Sequence, residues 1–171
     1  MNLFITHPSP VLSAQYLDDK RVVNQIRETA QMLCTSLIVR GCNDARLMAP
    51  THRNHPVTLW VGKTKANWSW TFRHFEALAA EKQRRWPDNP PHKNFIELQP
   101  VLPGLADQTF LDHPGCLVGF QNCARRSDLG IDFTHIPSVP TAYRLYMAER
   151  WKTDARPPRF SNTSPPPWCH L

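Results

Sequence analysis

The strongest constraint on the fold is a run of apolar residues that repeats every three or four positions near the start of the chain. The repeat comprises Val22, Ile26, Ala30, Leu33 and Leu37. This spacing places the five side chains on one side of an α-helix of about five turns. Asp18 or Asp19 can cap the start of this helix, and Gly41 is a typical helix terminator. The sequence therefore predicts a long amphipathic helix whose apolar side faces a core.

A second set of positions on the same helix carries polar and charged side chains one turn apart. The set consists of Lys20, Asn24, Glu28 and Gln31. Residues three or four positions apart are neighbours on a helix surface, so an amine, amides and a carboxylate follow one another along this ridge. Such a ridge is compatible with catalytic chemistry and also with an ordinary solvent-exposed surface, and the spacing leaves both interpretations open.

Helical spacing recurs in three further parts of the chain. A short helix is predicted over residues 10–17, and Ser9 can cap it. Apolar residues keep helical spacing over residues 57–85, which predicts a second long helix. A final helix is predicted over residues 140–152, and a Pro-rich extended tail follows over residues 153–171.

Residues 86–139 are rich in proline, which predicts an irregular segment with little structure beyond short turns. Its many apolar side chains are expected to anchor it on the helices. A length of 171 residues fits one domain with one core. We therefore predict an all-α fold: a compact single-domain helical bundle over residues 1–171, with two long helices, the Pro-rich irregular segment and a C-terminal helix.

The amino-acid composition indicates which kind of partner the protein binds and in which cellular compartment it is expected. Twenty Lys and Arg residues stand against fourteen Asp and Glu residues, and the net charge of +6 favours a polyanionic partner such as DNA. The five cysteines are odd in number and lack the C-x-x-C spacing, which argues against a disulfide framework and a zinc site. No stretch approaches eighteen apolar residues, and the first residues do not resemble a signal peptide. We predict a cytoplasmic monomer that binds no membrane, no metal and no other cofactor.

Residues 42–56 show no periodicity and are predicted to form a loop before the second long helix. The loop carries His52, Arg53, Asn54 and His55. The two histidines could ligate a metal, although no third ligand stands at a recognisable spacing. The loop could instead bind phosphate at the helix N-terminus with the help of Arg53. His55 could equally be a buried, hydrogen-bonded packing residue.

The second long helix carries an aromatic residue among polar ones on the side away from its apolar face. These positions are Lys63, Asn67, Trp70 and His74. Aromatic residues interleaved with cations are suited to stacking on unpaired bases. A Trp-rich helix that is buried on two sides would show the same pattern, so both interpretations remain open.

Several motifs together resemble those of a known family. They are Met1-Asn2-Leu3-Phe4, Ala14-Gln15-Tyr16-Leu17-Asp18-Asp19-Lys20-Arg21, Gln25-x-x-Glu28-x-x-Gln31-x-Leu33 and Asn54-His55-Pro56-x-x-x-Trp60. In these motifs the chain resembles bacterial and phage proteins of the endonuclease V family of pyrimidine-dimer DNA glycosylases. The resemblance covers roughly residues 1–85, and a weaker similarity extends to the aromatic and basic C-terminal helix and tail. It implies a small all-helical protein that acts on DNA.

The resemblance also implies a reaction. In this family the N-terminal amine attacks the sugar carbon of a flipped or exposed nucleotide, and a nearby Glu completes glycosylase and lyase chemistry. An α-amine has an ordinary pKa near 8, so a useful fraction is neutral and nucleophilic at physiological pH. Met1 would carry this amine, because Asn2 disfavours removal of the initiator methionine. Glu28 is the first candidate for the carboxylate that stabilises the cationic sugar and moves protons, and Asp18 and Asp19 are alternates.

A DNA-binding surface around these residues is implied as well. Basic residues would hold phosphates, and Trp70 or Trp151 would wedge or stack against a displaced base. The expected DNA-contacting residues are Asn2, Lys20, Arg21, Asn24, Arg27, His52, Arg53, Asn54, His55, Trp70 and Trp151. The leading prediction is a DNA glycosylase, with or without abasic-site lyase activity, for damaged or modified pyrimidines. A group-transfer enzyme that modifies DNA bases on the same fold and a non-catalytic nucleic-acid-binding module are the alternatives.

Overall fold

The computed structural model describes residues 1–111 and 115–169, and helices make up most of it. The helices are α1 (Pro10–Gln15), α2 (Asp19–Val39), α3 (Pro56–Val61), α4 (Lys65–Arg85), α5 (Lys93–Leu98), α6 (Leu102–Thr109) and α7 (Val139–Thr153). Strands β1 (Arg125–Arg126) and β2 (Ile131–Asp132) form a small antiparallel ladder around a 3₁₀ turn at Ser127–Leu129. The predicted all-α class is confirmed. Across the described ranges, no helix is both long and apolar enough to cross a lipid bilayer.

Helix α2 forms the centre of the core, as predicted. The five residues of its apolar stripe have no exposed surface, and the helix packs mainly against α4. Full burial of a Val, Leu or Ile side chain contributes roughly 1.5–3 kcal/mol, so this stripe is a major source of stability. Gly41 follows the helix with a φ of +95°, a left-handed conformation that glycine adopts without a steric penalty.

The predicted second long helix is wrong in one respect, because residues 62–64 divide it into α3 and α4. Thr64 has an extended backbone and caps α4, since its Oγ1 accepts a hydrogen bond from Asn67 N at 3.1 Å. The Asn67 side chain stabilises the junction by donating to Trp60 O at 2.8 Å and accepting from Val118 N at 3.0 Å. The apolar spacing continues across the break and therefore does not reveal it.

The polar and aromatic face of α4 is buried. Trp70 has 7% of its surface exposed, and its indole N–H donates to Pro8 O at 2.8 Å. His74 stacks on Trp70 with 5.4 Å between ring centroids, and its Nδ1 lies 2.9 Å from Pro10 O. The structure thus shows the second of the two interpretations, a Trp-rich helix buried on two sides.

The Pro-rich segment contains more helix than predicted. Helices α5 and α6 were not expected there, and α6 includes Pro103 in its first turn. Proline is tolerated at the start of a helix because the N–H groups of the first turn have no intrahelical acceptor. A high proline content therefore did not exclude short helices.

The predicted final helix is confirmed as α7, and the tail after it has no regular secondary structure. The tail folds back onto the start of α2, where Asp19 N donates to Arg159 O at 2.9 Å. Trp168 stacks on Trp151 with 5.4 Å between ring centroids. The tail therefore covers the end of the bundle at which α2 begins. Residues 170 and 171 of the predicted tail lie outside the described residues.

The burial of His74 predicts that stability falls at acidic pH. Burial lowers the pKa of its ring to about 4, while the hydrogen bond to Pro10 O acts in the opposite direction. The unfolded chain, with a His pKa near 6.5, binds a proton between pH 6.5 and 4 that the folded protein does not bind. We expect His74 to lower the free energy of unfolding by up to about 3 kcal/mol as the pH falls through this range.

Urea unfolding of the wild type and His74→Gln at pH 7 and pH 4.5 measures this effect. The variant should lose less stability than the wild type between the two pH values. His135→Gln is the control, because His135 is exposed and its replacement should leave the pH dependence unchanged. An equal loss in the wild type and His74→Gln would contradict the assignment.

Candidate functional site

The N-terminus of the chain lies against α2 at Glu28. The backbone N–H of Asn2 donates a hydrogen bond to Glu28 Oε2 at 2.9 Å. Gln25 Nε2 donates to the same oxygen at 3.0 Å. Two donors therefore fix one carboxylate oxygen beside the first residue, Met1. The other oxygen, Oε1, accepts no hydrogen bond from any part of the chain that the structure describes.

Two cavities adjoin at Met1, Asn24 and Glu28. The first, which we call the histidine cavity, has a volume of about 320 Å³ and is lined by Met1, Val23, Asn24, Arg27, Glu28, Gln31, His52 and His92. The second, the arginine cavity, has a volume of about 490 Å³ and is lined by Met1, Asn2, Phe4, Lys20, Arg21, Asn24, Gln25, Glu28, Arg125, Arg126, Tyr146 and Arg150. All four residues of the predicted polar ridge on α2 thus line one or both cavities.

One Lys and four Arg residues line the arginine cavity, with Glu28 as the carboxylate among them. Each of the five cations also pairs with an aspartate outside the lining. Arg21 is held in place by Asp18 at 3.0 Å and Asp154 at 2.8 Å. Arg126 pairs with Asp128 at 2.7 Å on the surface, where solvent weakens an ion pair. A surface arginine such as Arg126 can exchange its protein carboxylate for a phosphate oxygen, whereas Arg21 is buried together with its two aspartates and contributes a fixed positive charge. The cavity is therefore suited to a polyanion.

Arg27 supplies the cation of the histidine cavity. Arg27 is exposed, and within residues 1–111 and 115–169 it forms no ion pair. Arg27 could therefore bind a ligand phosphate without first breaking an ion pair within the protein.

Two neutral imidazoles stand near the N-terminus. His55 caps α3 by accepting from Val57 N at 3.3 Å, and His92 caps α5 by accepting from Asn94 N at 3.2 Å. Burial is the main cause that lowers the pKa of both rings. The positive charge of the N-terminal amine lowers the pKa of His55 further. Both rings are therefore mainly neutral at pH 7, and their Nδ1 atoms serve as acceptors.

His52 lies at the wall of the histidine cavity in an unusual conformation. Its φ is +51°, and its Nδ1 lies 2.6 Å from Thr51 Oγ1. A left-handed backbone in a residue other than glycine costs of order 1 kcal/mol or more, and such strain is concentrated at functional sites.

As for the metal interpretation of His52 and His55, the described ranges contain no group of three or more potential ligands that could hold a metal ion.

Asp18 and Asp19 have structural partners at the start of α2. Asp18 Oδ1 accepts from Arg21 and from Trp151 Nε1, each at 3.0 Å, and Asp19 pairs with Arg85 at 2.9 Å. Asp18 occupies the N-cap position, but its side chain does not make the expected capping bond. Neither carboxylate lines the two cavities. Both are therefore left out of the catalytic set proposed below.

The other expected site residues divide into those that line the two cavities and those that do not, and His55, the cap of α3, belongs to the second group. The structure brings together Met1, Asn2, Lys20, Arg21, Asn24, Arg27, Glu28 and His52 around the two cavities. Trp70 and Trp151 are buried elsewhere, and their indole N–H groups already have acceptors. Arg53 and Asn54 are exposed but line neither cavity.

The sequence pattern did not indicate that residues 123–150 contribute to this site. Arg125 and Arg126 come from β1, and Tyr146 and Arg150 come from one side of α7. The cluster of basic residues near the C-terminus was a visible signal. Its position beside Met1 depends on contacts between residues more than 100 positions apart, which local spacing does not report.

Comparison with known proteins gives one match. The sequence model of a family described as pyrimidine dimer DNA glycosylase matches residues 1–94. No curated protein and no solved structure matched the chain. The matched range contains Met1, Glu28 and both long helices, and it ends before β1 and α7.

Proposed function

Since the chain belongs to the pyrimidine dimer DNA glycosylase family, we propose that it excises a damaged pyrimidine from DNA with the α-amine of Met1 as nucleophile and Glu28 as acid–base residue. The observation that carries the proposal is the 2.9 Å hydrogen bond from Asn2 N to Glu28 Oε2, where the two cavities adjoin. It holds the start of the chain beside a carboxylate in a basic surrounding. A nucleophile and a proton carrier are then within reach of one sugar.

The first step breaks the glycosidic bond. The nitrogen of Met1 forms a bond to C1′ of the damaged nucleotide, and the C1′–N bond to the base breaks. The base leaves C1′ with the bonding electrons and takes up a proton. In a pyrimidine dimer this base stays joined to the neighbouring pyrimidine, so base release here denotes scission of the C1′–N bond, measured as alkali-labile strand cleavage or as free base after photoreversal of the dimer. Glu28 stabilises the positive charge that develops on the sugar. Because Oε2 already accepts two hydrogen bonds, Oε1 is the oxygen left to face the substrate.

The second step resolves the covalent intermediate. The attached nitrogen loses a proton, the sugar ring opens as its oxygen takes up a proton, and an iminium links Met1 to C1′. Hydrolysis of this iminium releases an abasic site. If a base instead removes a proton from C2′, the C3′–O bond breaks by β-elimination and the strand is cut. Glu28 is the residue proposed to carry protons in both outcomes.

The two cavities have different roles in this proposal. The arginine cavity, together with Arg27 of the histidine cavity, holds the phosphate backbone through charge-assisted hydrogen bonds. The histidine cavity receives the displaced base, because Asn24, Gln31 and His52 offer both donors and acceptors for its edge. Its volume of about 320 Å³ lies at the lower end of the range for small-molecule sites.

The test is incubation of the protein with duplexes that contain one pyrimidine dimer, one abasic site or no damage. We expect base release from the dimer duplex and strand cleavage at the dimer and at the abasic site. Binding without base release or cleavage would indicate the non-catalytic module. A base whose C1′–N bond stays intact and that carries a new chemical group would indicate the group-transfer alternative.

Arg27→Gln tests the phosphate contacts. We expect weaker binding to every duplex, and the slope of log K against log salt should fall by about 0.9, the value for one lost phosphate contact. Arg73→Gln is the matched control, because Arg73 is an exposed arginine in a groove between α1 and α4, outside both cavities. An unchanged slope in Arg27→Gln would exclude a phosphate contact by Arg27.

A further inference from the structure

The C-terminal part of the chain holds the N-terminal residues in place. We propose that Tyr143 on α7 is a positioning residue: it clamps the side chain of Asn2 and thereby fixes the Met1 amine against Glu28. The inference rests on the proposed function, because it requires Met1 and Glu28 to act together. It gives Asn2 a role in positioning the terminus, where the sequence had suggested contact with DNA.

Asn2 is tied to three parts of the molecule. Tyr143 Oη donates to Asn2 Oδ1 at 2.7 Å, and Asn2 Nδ2 donates to the backbone oxygen of Cys123 at 3.2 Å. Its backbone N–H donates to Glu28 as described above. We call the contacts among Asn2, Tyr143 and Cys123 the Asn2 latch. The latch connects α7 and the segment before β1 to the residue that follows Met1.

Tyr143 is suited to be the fixed side of this latch. Its side chain is fully buried, and its hydroxyl accepts a second hydrogen bond from Cys123 N at 3.3 Å. Both hydrogen bonds of the hydroxyl therefore belong to the latch. The ring packs edge-on against Phe4 and Tyr146 at centroid distances of 6.1 and 6.2 Å. Burial raises the pKa of the hydroxyl well above its usual value, so it remains a donor at physiological pH.

The latch determines the position of the amine because Met1 is the next residue. The Met1 side chain itself has one polar contact within the described residues, from Thr58 Oγ1 to its sulfur at 3.7 Å. Without the Tyr143 hydroxyl, the hydrogen bond that Asn2 Oδ1 would keep, among residues 1–111 and 115–169, is the one from its neighbour Leu3 N. A shift of about 1 Å in a reacting group can slow a reaction by about 100-fold, so small movements here matter.

Tyr143→Phe removes the hydroxyl and keeps the ring. We expect the single-turnover rate of base release to fall by about 10- to 100-fold, while the Kd for a damaged duplex stays unchanged and circular dichroism shows a folded protein. Tyr16→Phe is the matched control, because Tyr16 contacts His7 and Trp168 through its ring and lines neither cavity. Its rate should equal that of the wild type.

A double-mutant cycle with Asn2→Leu separates positioning from a general structural effect. Each single variant breaks the same latch, so the double variant should be no slower than the slower single variant. If Tyr143→Phe slows the Asn2→Leu protein by the same factor as it slows the wild type, Tyr143 does not act through Asn2 and the proposal is overturned.

The failure of this proposal is distinguishable from failure of the proposed function. A wild type that releases base, together with a Tyr143→Phe variant of unchanged rate, contradicts only the positioning role. A wild type that releases no base from any damaged duplex contradicts both.

Discussion

Glu28→Gln should abolish turnover and leave the affinity for DNA nearly unchanged. The amide has the same size, and its oxygen can accept the hydrogen bonds that Asn2 N and Gln25 Nε2 give to Glu28 Oε2. It cannot take up a proton or offset the positive charge of the sugar. We expect the single-turnover rate of base release to fall by about 10²- to 10⁴-fold.

Glu76→Gln is the control for this substitution. Glu76 lies on α4, accepts a hydrogen bond from Gln99 at 3.5 Å and lines neither cavity, so the variant should keep the wild-type rate. An unchanged rate in Glu28→Gln would remove Glu28 from the mechanism. A rate that falls only in proportion to a weaker affinity for DNA would assign Glu28 to binding.

Addition of one residue before Met1 should abolish base release and covalent trapping together. The addition converts the α-amine into a peptide nitrogen, whose lone pair is delocalised and no longer nucleophilic. The only α-amine then belongs to the added residue, one residue (about 3.8 Å) away from the proposed position. We therefore expect a loss on the order of 10³-fold or more. Base release from a dimer duplex and borohydride trapping on an abasic duplex measure the two activities.

The same residue added at the C-terminal end of the chain is the control. An intact-mass measurement first establishes that Met1 is the first residue of the purified wild type. An extended protein that traps abasic DNA at the wild-type rate would contradict the role of Met1. A side-chain amine such as Lys20, which also lines the arginine cavity, would then be the nucleophile.

The helix that forms one wall of the site was predictable because its pattern is local. The stripe from Val22 to Leu37 and the ridge from Lys20 to Gln31 both follow from the helical period, and the structure has both. The apolar spacing does not show the division between α3 and α4, although Gly62 and Thr64, the C-cap of α3 and the N-cap of α4, are local signals for it. The contact that fixes the junction against the rest of the chain is not local, since the Asn67 side chain accepts from Val118, 51 positions away.

Ambiguous patterns were resolved only by tertiary contacts. Trp70 and His74 fit a stacking surface and a buried face equally well, and the backbone of Pro8 and Pro10 supplies the polar partners that permit burial. Similarly, nothing near Tyr143 in the sequence indicates that its hydroxyl lies 2.7 Å from Asn2, 141 positions away. The family resemblance, rather than spacing, supplied the expectation that Met1 and Glu28 act together.

Peptide mapping of the borohydride-trapped complex tests the role of Met1 most directly. Borohydride reduces the iminium to a stable secondary amine, so the deoxyribose remains on the nitrogen that attacked it. The protein is trapped on an abasic duplex, digested and analysed by mass spectrometry. We expect the adduct on the α-nitrogen of Met1, whereas an adduct on a lysine side chain, or base release with no adduct at all, would contradict it.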